Sequence, residues 1–235
     1  MARSDAPTTI DALSARIETC ERCPDLRAYC AQIATEKKRA HRDETYWGRP
    51  VPGFGDPHAR VLLVGLAPGA HGSNRTGRMF TGDASGVWLY RALHRASFAN
   101  QAEQRDRADG MILSDVFITA ALRCAPPGNM PTPQQRMSCF PYLVDEVRAL
   151  ADLHVVVGLG AIGTTAARAA LVAAGYRFER RHRFGHGIES IATHEKVAPL
   201  TLLSSYHPSR QNTNTGVLTE SMLDAVFTRA RILAG

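Results

Sequence analysis

Long apolar runs are missing from this sequence. No stretch approaches the roughly 20 consecutive apolar residues that a membrane-spanning helix needs. The first residues, MARSDAPTTIDAL, also lack the apolar core of a secretory signal peptide. These two absences predict a protein of the cytoplasm that is not bound to a membrane. Because thiols stay reduced there, we do not expect the five cysteines to form disulfides.

Internal repeats, low-complexity tracts and linker-like segments are absent as well. We therefore predict a single domain over residues 1–235, a length that suffices for a large core. Basic side chains outnumber acidic ones by 28 to 22, which leaves a net charge of +6 with neutral histidines. This excess favours an anionic partner, although many proteins of the cytoplasm are basic without one. Nothing marks an oligomer, so we expect a monomer.

Short apolar runs alternate with amphipathic segments along most of the chain. Strands are predicted at residues 61–64, 116–120, 155–157 and 200–203, and helices at residues 88–96, 132–150, 161–174 and 219–233. This alternation predicts an α/β fold, namely a three-layer α/β/α sandwich with a central four-stranded, mainly parallel sheet. Ser85 is the predicted cap of the first of these helices, and Pro141 is expected to break or kink the second.

Four of the five cysteines form two pairs. Cys20 and Cys23 make a C-x2-C motif, and Cys124 and Cys139 are separated by a longer segment. Four thiolates in a reducing compartment hold either a zinc ion or an iron–sulfur cluster. The first spacing favours zinc, whereas the second is unusual for a zinc knuckle. Cys30 is interpreted as a small buried hydrophobic residue.

Two glycine-rich motifs follow predicted strands. Residues 61–86, VLLVGLAPGAHGSNRTGRMFTGDASG, join a strand to a loop that lets a ligand approach the backbone, but the loop lacks the GK[ST] of a nucleotide-binding P-loop. Residues 158–163 contain G-x-G-x-x-G with Glu179 downstream, the context of a dinucleotide site. That motif follows the third strand instead of the first, and few residues remain after it. We therefore interpret it as a tight strand-to-helix turn.

Residues 61–86 closely resemble the first motif of the type 5, or B-type, uracil-DNA glycosylases of bacteria and archaea. Residues 205–216, SYHPSRQNTNTG, are similar to that family's other motif almost letter for letter. The resemblance implies a monofunctional enzyme that flips a deaminated base out of double-stranded DNA and hydrolyses its bond to the sugar, the first step of base excision repair. It also implies broad specificity, for uracil, hypoxanthine, xanthine and modified pyrimidines. Activity on single-stranded DNA stays open.

The resemblance assigns roles to three side chains of these motifs. His207 faces the pyrimidine O2 and donates a hydrogen bond to the departing base as a neutral imidazole. Asp83 replaces the carboxylate or amide that other uracil glycosylases carry earlier in the first motif, with helix capping as its alternative role. Phe80 stacks on the flipped base. The resemblance further implies that the paired cysteines, Cys20, Cys23, Cys124 and Cys139, hold a structural [4Fe–4S] cluster.

Other residues of the same loops are predicted to contact the substrate. The backbone of Ala67 and Gly69 and the side chain of Asn129 are expected at the base. The predicted DNA-contacting residues are Asn74, Arg75, Ser209, Arg210, Gln211 and Asn212. A second basic stretch, with Arg177, Arg180, Arg181 and Arg183, forms either a DNA contact or a solvated strand face. The loops after the first, second and fourth predicted strands leave the same sheet edge, which predicts a cleft there.

Two other functions compete with this prediction. One is a non-enzymatic iron–sulfur protein that binds damaged DNA or couples to it covalently. A covalently coupling relative carries a basic, histidine-bearing insert in the first motif region, and residues 75–79 contain no histidine. The other is a dinucleotide-dependent enzyme, which bound cofactor would reveal by its absorbance.

Overall fold

The computed structural model describes residues 9–180 and 182–235. Within them, seven strands form one sheet with eight α-helices around it. The strands are β1 (Phe54–Gly55), β2 (Val61–Gly65), β3 (Val116–Ala120), β4 (Val155–Leu159), β5 (Arg177–Phe178), β6 (Glu189–Thr193) and β7 (Leu200–Ser205). The helices are α1 (Ile10–Glu18), α2 (Pro24–Glu36), α3 (Ser73–Thr76), α4 (Ala84–Arg95), α5 (Pro133–Ala149), α6 (Gly160–Ala174), α7 (Arg210–Asn214) and α8 (Glu220–Ala234).

The sheet has the strand order β1-β3-β2-β4-β7-β6-β5. Its four central strands, β3, β2, β4 and β7, are parallel and are the four that the sequence predicts. The predicted number of strands is wrong, because β1, β6 and β5 add antiparallel strands at the two edges. The sequence pattern does not reveal these edge strands, because β1 and β5 have two residues each and β6 is largely exposed.

Both faces of the sheet are covered by helices. Val61 and Leu63 belong to an apolar cluster with residues of α4 and α8. Leu62 and Val64 belong to a second cluster, with residues of α5 and α6. Because successive side chains of a strand point to opposite faces, an unbroken apolar run is buried on both sides. The predicted three-layer α/β/α sandwich is confirmed.

The helix ends differ from the prediction in two places. α4 begins at Ala84, and its N-cap is Asp83 instead of Ser85, since the Asp83 Oδ1 accepts a hydrogen bond of 2.9 Å from the Gly86 N–H. α5 continues through Pro141, so the predicted break is wrong. Burial of Leu143 and Val147 against the sheet holds α5 together despite the missing N–H. No helix among the described residues is long and apolar enough to cross a bilayer.

The G-x-G-x-x-G glycines serve close packing, as predicted. A Cβ atom at Gly163 would lie 2.3 Å from the carbonyl oxygen of Val64, and one at Gly158 would lie 2.4 Å from the Cα of Thr164. α6 therefore packs directly against β2 and β4 at this point.

The carboxyl ends of the central strands lie level with one another. Gly65 of β2 pairs with Ala120 of β3, and Leu159 of β4 pairs with Ser205 of β7. The loops that follow β2, β3 and β7 consequently leave the same edge of the sheet. This is the convergence that the sequence predicts.

Candidate active site

A cavity of about 450 Å³ opens at this carboxyl edge, within the size range of small-molecule sites. Eight predicted site residues line it, namely Ala67, Gly69, Phe80, Asp83, Asn129, His207, Ser209 and Arg210. Five residues that the sequence did not assign to the site complete the wall, namely Leu66, Ser73, Met79, Ala84 and Ser85. All five belong to the loop after β2 or to the start of α4. Their nearness to predicted residues was the only signal that could have found them.

A larger depression, of about 690 Å³, lies elsewhere on the molecule. It is lined by the start of α1, by the end of α5 and by His58, which precedes β2. These segments lie at the amino ends of the strands, whereas ligands of open α/β sheets bind at the carboxyl ends. The cavity beside His207 is therefore the better candidate.

His207 presents an uncharged imidazole to the cavity. Burial lowers the pKa of His207 to about 4, because the charged form loses its hydration. The backbone around it is fixed, since its carbonyl oxygen accepts hydrogen bonds from the Ser209 N–H at 2.8 Å and from the Asn212 Nδ2 at 2.9 Å. At neutral pH the ring is thus uncharged and carries one N–H group. Its role as a donor to a departing base stays a prediction.

Phe80 forms an aromatic wall next to His207. The two ring centroids are 5.8 Å apart and the ring planes differ by 31°. Phe80 adopts a left-handed backbone conformation, with φ of 53°, a strain of about 1–3 kcal/mol that is concentrated at functional sites. Two glycines make room for it: a Cβ at Gly65 would lie 2.8 Å from the ring, and a Cβ at Gly86 would lie 1.7 Å from the Phe80 carbonyl oxygen.

These two contacts predict different outcomes for two alanine variants. Gly65→Ala is expected to push the Phe80 ring aside, which weakens binding of a flipped base but has a small effect on the melting temperature. In Gly86→Ala the new Cβ would collide with the backbone carbonyl of Phe80, which cannot rotate away. This variant is therefore expected to lower the melting temperature by several degrees and to reduce activity as well. Thermal unfolding measures the change in stability, and binding to a duplex that carries a non-hydrolysable uracil nucleotide measures the binding of the flipped base. Equal losses of stability in both variants would contradict this assignment.

Asp83 combines a structural contact with a place in the cavity. Its carboxylate caps α4 and lies beside Gly72, where a Cβ would come within 2.5 Å of the Asp83 Oδ2. Burial raises the pKa of Asp83, and the N–H groups of Gly86 and Ser85 act against that rise. The capping role that the sequence offered as an alternative is confirmed. The catalytic role stays a prediction, and the cap does not exclude it.

Asn74 and Arg75 do not lie at the surface, so their predicted position at the mouth of the loop is wrong. Asn74 is buried, and its Nδ2 donates to the carbonyl oxygens of Cys30 and Ala70, both at 3.3 Å. Arg75 is also buried, forms an ion pair with Glu44, and donates to the carbonyl oxygen of Gly82 at 3.1 Å. Both side chains therefore join the loop to earlier parts of the chain, Asn74 through Cys30 and Arg75 through Glu44.

Arg75 therefore positions the residue before Asp83 and is not free to contact phosphate. Arg75→Ala is expected to lower the single-turnover rate and the melting temperature, since charge-assisted hydrogen bonds contribute about 1.5–3 kcal/mol each. Glu44→Gln removes the ion pair but keeps the bond to Gly82, so its effect should be smaller. DNA binding at several salt concentrations separates the two roles. A reduced salt dependence in Arg75→Ala would show a phosphate contact instead.

Residues of the loop after β7 have two kinds of role: some line the cavity, and others hold the loop in shape. Arg210 is exposed, and Ser209 caps α7 through its side chain while it lines the cavity. Gln211 is exposed but does not line the cavity. Asn212 was predicted to contact DNA, but its side chain donates to the carbonyl oxygen of His207. The role of Asn212 is therefore corrected: its side chain holds the backbone of His207 in place.

The second basic stretch lies at the far edge of the sheet. Arg177 belongs to the edge strand β5 and forms an ion pair of 2.9 Å with Glu195, which compensates its charge. Arg180 and Arg183 are exposed. Arg181 lies outside the described residues. A DNA contact by this stretch stays a prediction.

The paired cysteines meet although they are distant in sequence. Cys20, Cys23, Cys124 and Cys139 line one small cavity between the start of α2, the segment after β3 and the middle of α5. All five cysteines are free thiols, as expected, and Cys30 is fully buried beside this group. Within residues 9–180 and 182–235, no three metal-ligating side chains converge as closely as a single-ion site requires.

Comparisons with known proteins agree with this architecture. Residues 52–231 match the family model described as the uracil DNA glycosylase superfamily. The chain is 49% identical to the type-5 uracil-DNA glycosylase of Mycobacterium bovis over 224 residues, which are 95% of this chain and 81% of that protein. It is 48% identical to that of Thermus thermophilus, with 93% and 95% coverage, and 46% identical to that of Mycobacterium leprae, with 97% and 96% coverage. The chain is thus a member of the uracil-DNA glycosylase superfamily and belongs to its type-5 branch.

Proposed function

We propose that the protein hydrolyses the bond between uracil and deoxyribose in DNA and leaves an abasic site, the first step of base excision repair. One observation carries the proposal. A single cavity at the carboxyl edge of the sheet holds the neutral imidazole of His207, the ring of Phe80 and the carboxylate of Asp83. The type-5 relatives that the chain matches are named as uracil-DNA glycosylases, which is the same activity.

These three side chains match the charge changes of the reaction. A base that is flipped out of the helix lies on an aromatic surface, which the ring of Phe80 provides. Bond cleavage places negative charge on the departing uracil and positive charge on the sugar. His207 donates a hydrogen bond to the uracil oxygen as the charge grows there. Asp83, if ionised, stabilises the sugar and orients the attacking water.

The DNA helix itself is bound around the mouth of this cavity. Ser209 and Arg210 lie at the rim, and the exposed Arg210 and Gln211 begin the short helix α7. We place Arg210 and Gln211 in the gap that the flipped base leaves, as side chains of base-flipping proteins often are. The proposed substrate is double-stranded DNA, bound by a monomer in the cytoplasm.

A broad base specificity follows from the wall of the cavity. Leu66, Ala67 and Met79 contribute no polar side chain to the wall, and β3 ends at the small apolar residue Ala120. Asn129 is exposed in a turn with φ of 57°, so it can contact the edge of a base without enclosing it. Asp83 and Ser209 are engaged in capping helices, and Arg210 is exposed. A site in which few hydrogen-bonding groups are fixed against the base discriminates weakly between bases. We therefore propose that hypoxanthine, xanthine and modified pyrimidines are also removed.

The cavity lined by Cys20, Cys23, Cys124 and Cys139 is proposed to hold a [4Fe–4S] cluster. Its donor set suits such a cluster, which is held by four thiolates. Two buried arginine nitrogens beside the cavity have no acceptor among the residues that the structure describes, and a sulfur-rich anion would supply one. The cluster would be structural: it would join α2, the segment after β3 and α5, and take no part in base removal.

Duplexes that contain one uracil, hypoxanthine or xanthine test the proposal. We expect abasic sites at all three bases, detected as strand breaks only after alkali, and no trapping by borohydride because no lysine forms a Schiff base. Breaks before alkali would contradict a monofunctional enzyme, and breaks only at uracil would contradict the broad specificity. Binding without any base release would favour a DNA-binding protein that is not an enzyme.

A further inference from the structure

Two buried donors beside the cysteine cavity have no hydrogen-bond acceptor in the described ranges, residues 9–180 and 182–235. The side chains of Arg27 and Arg123 both line this cavity. The Arg27 Nη1 and the Arg123 Nε are buried and unpaired within the part of the chain that the structure describes. A buried N–H without an acceptor costs about 1–3 kcal/mol, so each such group in a folded protein calls for an explanation.

The charges of the two arginines are balanced differently. Arg123 is fully buried and forms an ion pair with Glu146, at 2.6 Å between its Nη2 and the Glu146 Oε2. No carboxylate among residues 9–180 and 182–235 forms an ion pair with Arg27. Arg27 lines the same small cavity as the four paired cysteines. Arg27 is therefore an uncompensated cation close to the thiols.

We propose that Arg27 and Arg123 donate N–H···S hydrogen bonds to a [4Fe–4S] cluster, and that Arg27 supplies the positive charge that balances it. The inference depends on the cluster proposed above. Four thiolates make the cluster an anion, and each added electron makes it more negative. Hydrogen bonds and positive charge near the sulfurs stabilise the reduced form most, so they raise the reduction potential. The segment of α2 that follows Cys23 would thus tune the cluster that Cys23 binds.

The reduction potential of the cluster tests this inference directly. It is measured on anaerobically purified full-length protein, by the loss of visible absorbance and by the electron paramagnetic resonance signal of the reduced form. Arg27→Gln is expected to shift the midpoint potential downward, and Arg27→Lys is expected to shift it less because the charge is kept. Should Arg27→Gln lose the cluster, shown by iron and sulfide content per chain, Arg27→Lys still provides the comparison.

Arg22 offers a matched control. It lines the same cavity, but it is exposed, donates to the Ser138 carbonyl oxygen at 3.3 Å, and lies over the Tyr142 ring at 4.6 Å. Arg22→Gln should leave the potential unchanged, since water screens an exposed charge.

Two results would overturn the inference: a full cluster with wild-type potential in Arg27→Gln, or zinc in the wild-type protein. Uracil release by the same preparations is scored separately. A shifted potential in Arg27→Gln together with no base release by the wild type would support this inference and overturn the proposed glycosylase activity.

Discussion

His207→Ala is expected to lower the single-turnover rate of uracil release by about 10²–10³, the usual effect of removing one donor aimed at developing negative charge. Binding to the duplex should change little, because His207 lines the cavity and is not part of the exposed rim. The rate is measured with enzyme in excess over a uracil-containing duplex. Binding is measured by fluorescence anisotropy on an abasic-analogue duplex.

The pH dependence follows from the lowered pKa of His207. The imidazole stays neutral in the folded protein until the pH approaches about 4, whereas in the unfolded chain it takes up a proton near pH 6.5. Folding stability therefore falls as the pH drops from about 6.5 towards 4, and it is unaffected by this group above that range. His207→Asn should reduce this fall in the melting temperature.

A second histidine serves as the control for this measurement. The side chain of His58 is 84% exposed and far from the cavity, so His58→Asn should leave the contribution of His207 to the pH dependence of unfolding in place. If His207→Ala kept the full single-turnover rate, the donor role would be excluded. If His207→Asn kept the wild-type dependence on pH, the neutral state of the buried ring would be excluded.

Asp83→Ala is expected to lower the single-turnover rate by about 10² or more, in the range of a positioned acid or base. The same substitution also removes the cap of α4, which contributes about 1 kcal/mol, so a loss of activity alone is ambiguous. The variant Asp83→Ser separates loss of the helix cap from loss of the carboxylate. Serine caps a helix about as well as aspartate but supplies no carboxylate near the sugar.

The two variants should therefore lose activity equally and differ in stability. Asp83→Ser is expected to melt near the wild-type temperature, and Asp83→Ala several degrees lower. Single-turnover rates and thermal unfolding of both variants give the comparison. A serine variant with the wild-type rate would leave Asp83 as a helix cap only, and the carboxylate would be excluded from the reaction.

The order of the layers and most of the cavity could be predicted from local sequence. The runs that become β2, β3, β4 and β7 are apolar on both faces, and such a run has few alternatives to a buried parallel strand. The edge strands β1, β5 and β6 could not be predicted, because a short or half-exposed strand is stabilised by its neighbour more than by its own residues.

The direction of polar side chains was the main source of error. Asn74, Arg75 and Asn212 were predicted to contact DNA because they are polar and lie in the right loops. Their partners, such as Gly82 for Arg75 and His207 for Asn212, become available only when the loop folds back on itself. Such a contact cannot be predicted from the residues next to it in the sequence.

Residue order alone determined the four central strands, the loops at their carboxyl edge and the place of His207 in one of these loops, because apolar runs and motif side chains act over a few neighbouring positions. Only the folded chain decided that Arg75 is turned inward to Glu44 and that the Arg27 Nη1 lies beside four cysteines without a partner among the described residues. Both outcomes depend on atoms brought together from distant segments. The burial of a side chain and the compensation of its charge depend on the tertiary structure around it.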